Sequence, residues 1–247
     1  LNMRPILILA KRELNSFFDS LIAYMLIIIF LGFSGLFTWI TASFFGPDVF
    51  LSGQANLRPF FYVAYFTLFI FIPAITMRMI AEEKKTGTIE LLLTKAVSDW
   101  QVVMGKFLAC LALVAIAVFC TLPYYITISW LGPVDHGAMM AGYFGILLIS
   151  CAYIGIGLFA SSLTSNQIVA FLLALSLSAC FMILFQFISM NLSGTLASFF
   201  DYLSFFNHYE ATTKGVIDSK DVLYFLSITA FCLLATESVL AGRKVVE

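Results

Sequence analysis

Residues 73–109 read PAITMRMIAEEKKTGTIELLLTKAVSDWQVVMGKFLA, a charged segment between two strongly apolar runs. Two acidic and two basic residues, Glu82 to Lys85, come immediately before a Thr-Gly-Thr sequence. A basic segment between two apolar runs is typical of a cytoplasmic loop that joins two membrane-spanning helices. The segment therefore predicts a membrane fold, and the sequence on either side of it defines the spans.

The composition is that of an integral membrane protein. Of the 247 residues, 62% are hydrophobic and 11% are charged, and the mean hydropathy is +1.01. A soluble domain has roughly 45–50% apolar and about 25% charged residues. The net charge of −1 and the absence of a basic stripe in the sequence disfavour a nucleic-acid partner.

Six apolar runs are long enough to cross the membrane, because ~30 Å of hydrocarbon takes about 20 residues of helix. They predict an all-α integral membrane protein with one transmembrane domain over residues 1–247. The predicted spans are residues 21–42, 59–81, 103–131, 138–161, 168–190 and 221–241. The first run is too long for a signal peptide and no small-x-small cleavage pattern follows it, so we expect a retained anchor.

The distribution of lysine and arginine predicts that both termini are cytoplasmic, because basic residues concentrate on that side. One side of the predicted topology holds Arg4, Lys11, Arg12, Arg78, Lys84, Lys85, Lys95, Lys106, Arg243 and Lys244. The opposite side holds Arg58, Lys214 and Lys220.

Residues 4–20 predict an amphipathic helix along the inner membrane surface. The predicted apolar stripe consists of Leu7, Ala10, Leu14, Phe17, Phe18 and Leu21. An apolar stripe with a basic opposite face is typical of an interfacial helix. In the alternative, the first span begins earlier and buries Lys11 and Arg12, which the cost of inserting charges disfavours.

The coupling region, residues 82–101, predicts a short cytoplasmic helix held between two long ones. Gly87 supplies a turn, Thr88 is a candidate N-cap, and residues 89–97 carry an apolar stripe at helical spacing. Ser98 and Gln101 form a capping box that begins the next helix. We expect the short helix to present a docking surface; the alternative is a loop that packs only against its own bundle.

Two further segments leave alternatives open. Ala170, Ala174 and Ser178 form a small-residue stripe that suits either helix packing within the chain or a dimer seam. Residues 191–220 are too apolar for a solvated loop and predict re-entrant or interfacial helices. His208, Glu210 and Asp218 in that loop have oxygen and nitrogen ligands for a cation but no ligand spacing, so we expect no metal site.

No motif for catalysis is present in the sequence, and we expect neither enzyme activity nor a cofactor in this chain. Gly105-Lys106 lacks the upstream glycine and the hydroxyl of a phosphate-binding loop. Glu237 lies within the last apolar run, and an acid there is a candidate proton relay. It can also pair with Arg243, and a secondary transporter or a membrane-embedded enzyme is the less favoured interpretation.

Three stretches resemble type-2 ABC exporter permeases. TMRMIAEEKKTGTIELLLTKAVSDWQVVMGK at 76–106 is similar to their cytoplasmic signature, which combines an acidic-basic pair, Gly-Thr, Glu-Leu-Leu and a later Gly-Lys. ILILAKRELNSFFDSLIAYM at 6–25 resembles their amino-terminal interface helix, and NHYEATTKGVIDSKDVLYFLS at 207–227 resembles the segment entering their last span. Within the family, the likeness is greatest to gliding-motility-associated and copper-maturation permeases.

The resemblance implies a permease subunit in the bacterial cytoplasmic (inner) membrane, with a cytoplasmic ATPase subunit that binds ATP and magnesium. It also implies a second permease half, either the same or a homologous chain, and export of a hydrophobic or amphipathic substrate. The alternative is an ATP-driven mechanical transmitter acting on an outer partner through residues 191–220. The residues expected at the ATPase interface are Arg12, Glu13, Glu82, Glu83, Lys84, Thr86, Gly87, Glu90, Leu91, Leu92 and Lys95.

Overall fold

A computed structural model describes residues 3–40, 49, 53, 55–88 and 98–242. All regular elements within these ranges are helices, which confirms the prediction of an all-α fold. The elements are α1 (Met3–Asp19), α2 (Leu21–Trp39), α3 (Arg58–Thr76), α4 (Ala81–Thr86), α5 (Asp99–Phe119), α6 (Leu122–Leu131), α7 (His136–Leu163), α8 (Gln167–Ala179), a π-helical segment (Cys180–Leu184), α9 (Phe185–Asn191), α10 (Thr195–Leu203), α11 (Phe205–Thr213) and α12 (Ser219–Ala241).

Six helical stretches of the described residues are long and apolar enough to cross a membrane. They are Leu21–Trp39, Arg58–Thr86, Asp99–Leu131, His136–Leu163, Gln167–Asn191 and Ser219–Ala241. Their number agrees with the predicted number of spans. The ends differ by at most five residues, and the second stretch runs to Thr86 because it includes α4.

The third span shows both a predicted start and an unpredicted break. The backbone N–H of Gln101 donates to the Ser98 hydroxyl at 3.3 Å and the Ser98 N–H donates to the Gln101 side chain at 3.1 Å, so the capping box is confirmed. The helix is interrupted between α5 and α6, just before Pro123. Proline has no N–H and its ring clashes with the preceding turn, which explains the break.

Helix α7 is the centre of the bundle and packs against α3, α5, α8, α11 and α12. Its glycines allow this close packing. A Cβ on Gly157 would lie 2.1 Å from Thr76 Oγ1 of α3, and a Cβ on Gly145 would lie 2.1 Å from Thr212 Oγ1 of α11. Any side chain at these two positions would push a neighbouring helix away.

The small-residue stripe of α8 lies inside the chain. Ala170, Ala174 and Ser178 are fully buried, and α8 packs against α7 and α3. The stripe thus takes part in helix packing within the chain, and its role as a dimer seam stays a prediction.

The amino-terminal helix α1 packs along α5, and its buried face differs from the predicted stripe. Ile6, Leu9 and Phe17 are buried there, whereas Leu7 is 57% exposed. Leu14, Phe17 and Phe18 of the predicted stripe contact the bundle, and Ile6 and Leu9, which lie outside that stripe, are buried as well. At the opposite end of the bundle, α10 and α11 occupy the loop before the last span, where short helices were predicted.

Candidate functional site

Three charged side chains meet where α1, α4 and α5 converge. Lys106 of α5 is only 1% exposed, and its Nζ lies 2.7 Å from Glu83 Oε1 of α4 and 3.8 Å from Glu13 Oε1 of α1. A buried ammonium is strongly destabilising without a partner, so these contacts hold the three helices together. We call Glu13, Glu83 and Lys106 the charge cluster, and the end of the bundle that contains it the basic end.

The residue before the lysine explains why α1 comes close enough to join the cluster. A Cβ on Gly105 would lie 2.7 Å from Leu9 Cδ2, so α1 contacts α5 directly over the glycine backbone. Gly105 therefore sets the separation of the two helices, and Lys106 supplies the charge that links them. The Gly-Lys pair of the sequence thus has a steric and an electrostatic role at the same place.

Two arginines stabilise the surroundings of the cluster. The Arg12 guanidinium donates to Glu13 Oε1 at 2.5 Å, and the Arg78 guanidinium lies over the Phe17 ring, 5.0 Å from its centroid. A cleft of about 330 Å³ opens beside these residues and is lined in part by Glu82, Thr86 and Thr88.

The turn between α3 and α4 is held by a serine from α7. The Ser161 hydroxyl accepts from the backbone N–H groups of Ile80 at 3.1 Å and Ala81 at 3.0 Å, and donates to the Met77 carbonyl at 3.0 Å. These amides have left the helical ladder and lie in the interior, where an unpaired N–H is costly. One side chain therefore satisfies three backbone groups at a break in the second span.

A lysine makes the second link between α4 and α7. The Lys84 ammonium donates to the Ser162 carbonyl at the end of α7. Helix α4 is thus joined to α1 and α5 through the charge cluster and to α7 through Ser161 and Ser162. Although α4 is short, it is linked to three other helices of the bundle.

Helix α4 ends as the sequence predicts. Gly87 has φ +69°, a left-handed conformation that favours glycine, and it terminates the helix. The Thr86 hydroxyl donates to the Glu82 carbonyl at 2.9 Å and lies 2.9 Å from the Thr88 hydroxyl. Residues 89–97 lie outside the described residues, so the predicted short helix and its Glu90, Leu91, Leu92 and Lys95 stay predictions.

The described members of the predicted ATPase interface fall into two groups. Arg12, Glu82, Thr86 and Gly87 are exposed at the basic end. Glu13, Glu83 and Lys84 are instead engaged within the chain, where they hold α4 to its neighbours.

Neither Lys106 nor Ser161 was expected at the site from the sequence. Lys106 carried a local signal, because a lysine inside the start of an apolar run needs a nearby acid. Ser161 carried none, because its partners lie about 80 positions away in the chain.

The candidate cation ligands of the loop before the last span are not brought together. His208 pairs with Asp221 at 2.6 Å, and Glu210 pairs with Lys214 at 2.8 Å. Asp218 caps α12 and pairs with the Lys220 side chain at 3.2 Å. Within the part of the chain that the structure describes, no group of three or more His, Cys, Asp or Glu residues could hold a metal ion.

The fold and the site define a class: a multi-pass helical membrane protein with a buried polar junction at one end, close to a segment expected at the membrane surface. A family model described as ABC-2 family transporter protein matches residues 7–241. The chain therefore belongs to the ABC-2 transporter family, whose members are permease subunits of ABC transporters and are not themselves catalytic. Membership implies association with an ABC ATPase and a second permease subunit. No curated protein matches the chain.

Proposed function

We propose that this permease couples ATP hydrolysis by a separate cytoplasmic ATPase subunit to the outward movement of a hydrophobic or amphipathic substrate. In this proposal the protein lies in a bacterial inner membrane, with its basic end and both termini in the cytoplasm. The observation that carries the proposal is the convergence of α1, α5 and α7 on α4, immediately before the predicted coupling helix at 88–97.

The contacts of α4 provide a path for motion. In this proposal a displacement of the predicted coupling helix acts on α4, which ends at Thr86, immediately before the Gly87 turn. Lys106 transfers that displacement to α5 and α1, and Ser161 transfers it to α7. Because the packed helices move as rigid bodies, a small shift at the ATPase becomes a rearrangement of the spans.

Burial of the charge cluster suits this role. Ion pairs at an exposed surface are screened by solvent and are worth little, typically about 0–1 kcal/mol. Lys106 is excluded from solvent, so its attraction to Glu83 acts at a lower effective dielectric constant. The cluster is therefore a stiff link between helices, whereas the exposed Arg12 and Glu82 are available for contacts with a partner.

The docking surface in this proposal has a described and a predicted part. Arg12, Glu82, Thr86 and Gly87 form the described part, next to the cleft at the basic end. Glu90, Leu91, Leu92 and Lys95 complete it as charged contacts and apolar anchors. ATP and magnesium bind in the partner subunit.

A second candidate function is that of an ATP-driven mechanical transmitter that acts on an outer protein. Exposed apolar side chains of α10, which lies outside the candidate spans, favour it: Leu196 is 61% exposed and Phe199 58%. The resemblance to gliding-motility-associated permeases supports the same candidate. Deletion within 195–203 separates the two, since loss of partner binding with intact ATP turnover indicates a transmitter and altered substrate range indicates export.

The test uses the permease reconstituted with the ATPase subunit that co-purifies with it. We expect Lys106→Met to retain the ATPase but to lose most of the stimulation of ATP turnover by the permease. It should also lose the ATP-dependent change in labelling of a cysteine placed at Ser198, on α10. Lys85→Met, which removes an exposed lysine one residue from Lys84, is the matched control and should behave as wild type.

The double variant Glu83→Gln with Lys106→Met distinguishes misfolding from loss of transmission. It removes the charges of Glu83 and Lys106 together. It therefore avoids the unpaired Glu83 carboxylate that Lys106→Met alone would leave, and it should fold more stably than that variant. Transmission should still be lost. Wild-type stimulation and labelling in both variants would overturn the role of the charge cluster, and failure of any ATPase to bind the wild-type chain would overturn the proposed function.

A further inference from the structure

His208 is buried at the end of the bundle opposite the charge cluster, and both of its ring nitrogens face acceptors. Nδ1 lies 2.6 Å from Asp221 Oδ1 of α12, and Nε2 lies 2.8 Å from the carbonyl oxygen of Tyr202, at the end of α10. The imidazole also stacks on the Tyr224 ring, with 4.0 Å between centroids and 19° between planes. A single side chain of α11 thus contacts both neighbouring elements.

Both contacts of the imidazole can be hydrogen bonds at once only when the pair holds one proton more than a neutral histidine with a carboxylate. A carbonyl oxygen only accepts, so the Tyr202 contact is a hydrogen bond only when Nε2 carries a hydrogen. The 2.6 Å contact between Nδ1 and Asp221 Oδ1 then needs a second proton. The pair is either an imidazolium with a carboxylate or a neutral imidazole with a carboxylic acid, and both forms hold the same number of protons.

We propose that His208 and Asp221 form a proton-binding site that locks α11 to α10 and α12. With the proton bound, both hydrogen bonds are made and the three elements are joined. When the proton leaves, the neutral imidazole has a single N–H and can donate to Asp221 or to the Tyr202 carbonyl, but not to both. Asp221 Oδ2 has no hydrogen-bond partner among the described residues, so the remaining N–H is needed at the buried carboxylate. The link from α11 to α10 is then lost, and that side of α11 is released.

Charged and titratable groups of the neighbouring elements lie around the pair. From α10 and from α12 with its cap, the groups that face this region, apart from Asp221 itself, are Asp201, Tyr202, Asp218, Lys220 and Tyr224. Two of them are carboxylates and one is an ammonium. The backbone N–H and the ammonium of Lys220 lower the pKa of Asp218, which keeps that carboxylate ionised.

A cleft gives protons access to the site without passing through the apolar core. It has a volume of about 370 Å³, and both His208 and Asp221 contribute to its wall. Asp201 at its rim accepts hydrogen bonds from Asn207 at 2.6 Å and from Ser189 at 3.1 Å, so the rim is polar. The proton therefore comes from the compartment that the far end faces, and the lock responds to pH there.

The proton count is measured by NMR of the full chain labelled with ¹⁵N-histidine and ¹³C-aspartate. The chain has two histidines, and the exposed His136, whose Nδ1 lies 2.5 Å from the Tyr125 hydroxyl, serves as the internal reference. In the state in which both contacts of His208 are made, we expect either an imidazolium at His208 or a protonated Asp221 carboxyl. A neutral His208 beside an ionised Asp221, with α11 still ordered, would overturn the proposal.

Asp221→Asn is the decisive variant because it removes the need for the proton. The asparagine amide can donate to Nδ1 while Nε2–H donates to the Tyr202 carbonyl, so a neutral His208 makes both hydrogen bonds. Hydrogen exchange of the α11 amides is compared with that of amides at 228–241 in the same sample, which corrects for the direct effect of pH. In wild type, protection of α11 should be lost as pH rises.

The same protection should persist across the pH range in Asp221→Asn and should be weak at every pH in His208→Phe. Asp218→Asn, which changes a neighbouring carboxylate, should keep the pH response of wild type. Equal loss of protection in wild type and Asp221→Asn would overturn the lock. None of these measurements involves the ATPase, so they are independent of the proposed function.

Discussion

At the scale of single residues, close contacts between helices occur at glycines, which have no side chain. Gly142, Gly145 and Gly157 of α7 face Phe61, Thr212 and Thr76 at distances that leave no room for a methyl group. Membrane helices lack a hydrophobic driving force between them, so close backbone approach and dispersion contacts carry much of their association. The central position of α7 therefore depends on the absence of side chains at these three glycines.

Gly157→Ala tests this dependence. The new Cβ would lie 2.1 Å from Thr76 Oγ1, and we expect destabilisation of about 1–3 kcal/mol from overpacking. Unfolding of the purified protein in detergent, followed by circular dichroism, measures the change. Gly32→Ala is the matched control, because nothing lies within 4 Å of its Cβ position on α2. It should be neutral or stabilise the helix, and equal destabilisation of both variants would contradict the packing argument.

At the scale of elements, α4 is defined by the residues that interrupt the second span. The amides of Ile80 and Ala81 leave the helical ladder and find their acceptor on Ser161. Such a break allows α4 to change direction relative to α3 while its backbone groups stay satisfied. The element that leads into the coupling region is therefore hinged at one defined place.

Ser161→Ala should weaken this hinge. The substitution leaves buried backbone groups of the α3–α4 turn without a partner, and each such group costs about 1–3 kcal/mol. Faster hydrogen exchange at Ile80 and Ala81 is the expected local signature. Ser162→Ala is the control: its hydroxyl bonds only to Phe159 of its own helix, at 2.7 Å, and its carbonyl still accepts from Lys84. Unchanged exchange in Ser161→Ala would show that another group holds the turn.

Local features of these elements were predictable from the sequence, and distant contacts were not. The Ser98–Gln101 capping box and the Gly87 turn depend on residues three or fewer positions apart, so pattern alone identifies them. The inward direction of Glu83 depends on Lys106, 23 positions away, and no periodicity encodes that. The same holds for α1, whose buried face is selected by a glycine in another helix.

At the scale of the whole molecule, burial is distributed unevenly among the spans. In the most apolar window of each, 78% of residues are buried in His136–Leu163, but only 22% in Leu21–Trp39 and 22% in Gln167–Asn191. The apolar runs in the sequence predict all of these spans equally well, because hydropathy does not distinguish a side chain that faces protein from one that faces lipid. The first and fifth spans therefore present the largest surfaces to lipid or to the second permease subunit.

The predicted sidedness of the molecule is open to a direct measurement. Cysteines are introduced at Lys85 or Lys214 in a variant whose five native cysteines are replaced by alanine. With a membrane-impermeant maleimide on spheroplasts, we expect labelling at position 214 and none at position 85 until the membrane is permeabilised. Both positions are exposed, so the comparison isolates topology from burial. The reverse pattern would invert the orientation predicted from lysine and arginine.

Gly105 makes the packing of the whole molecule sensitive to a small increase in side-chain volume. It holds α1 against α5 at the level of Leu9, and the next residue carries the ammonium that Glu13 and Glu83 share. A single added methyl group there would displace α1 and widen the already longer Lys106–Glu13 separation. The added side-chain volume would thus weaken the electrostatic attraction between Lys106 and Glu13. The amino-terminal helix would lose its charge link to the rest of the protein, although no charged residue had been altered.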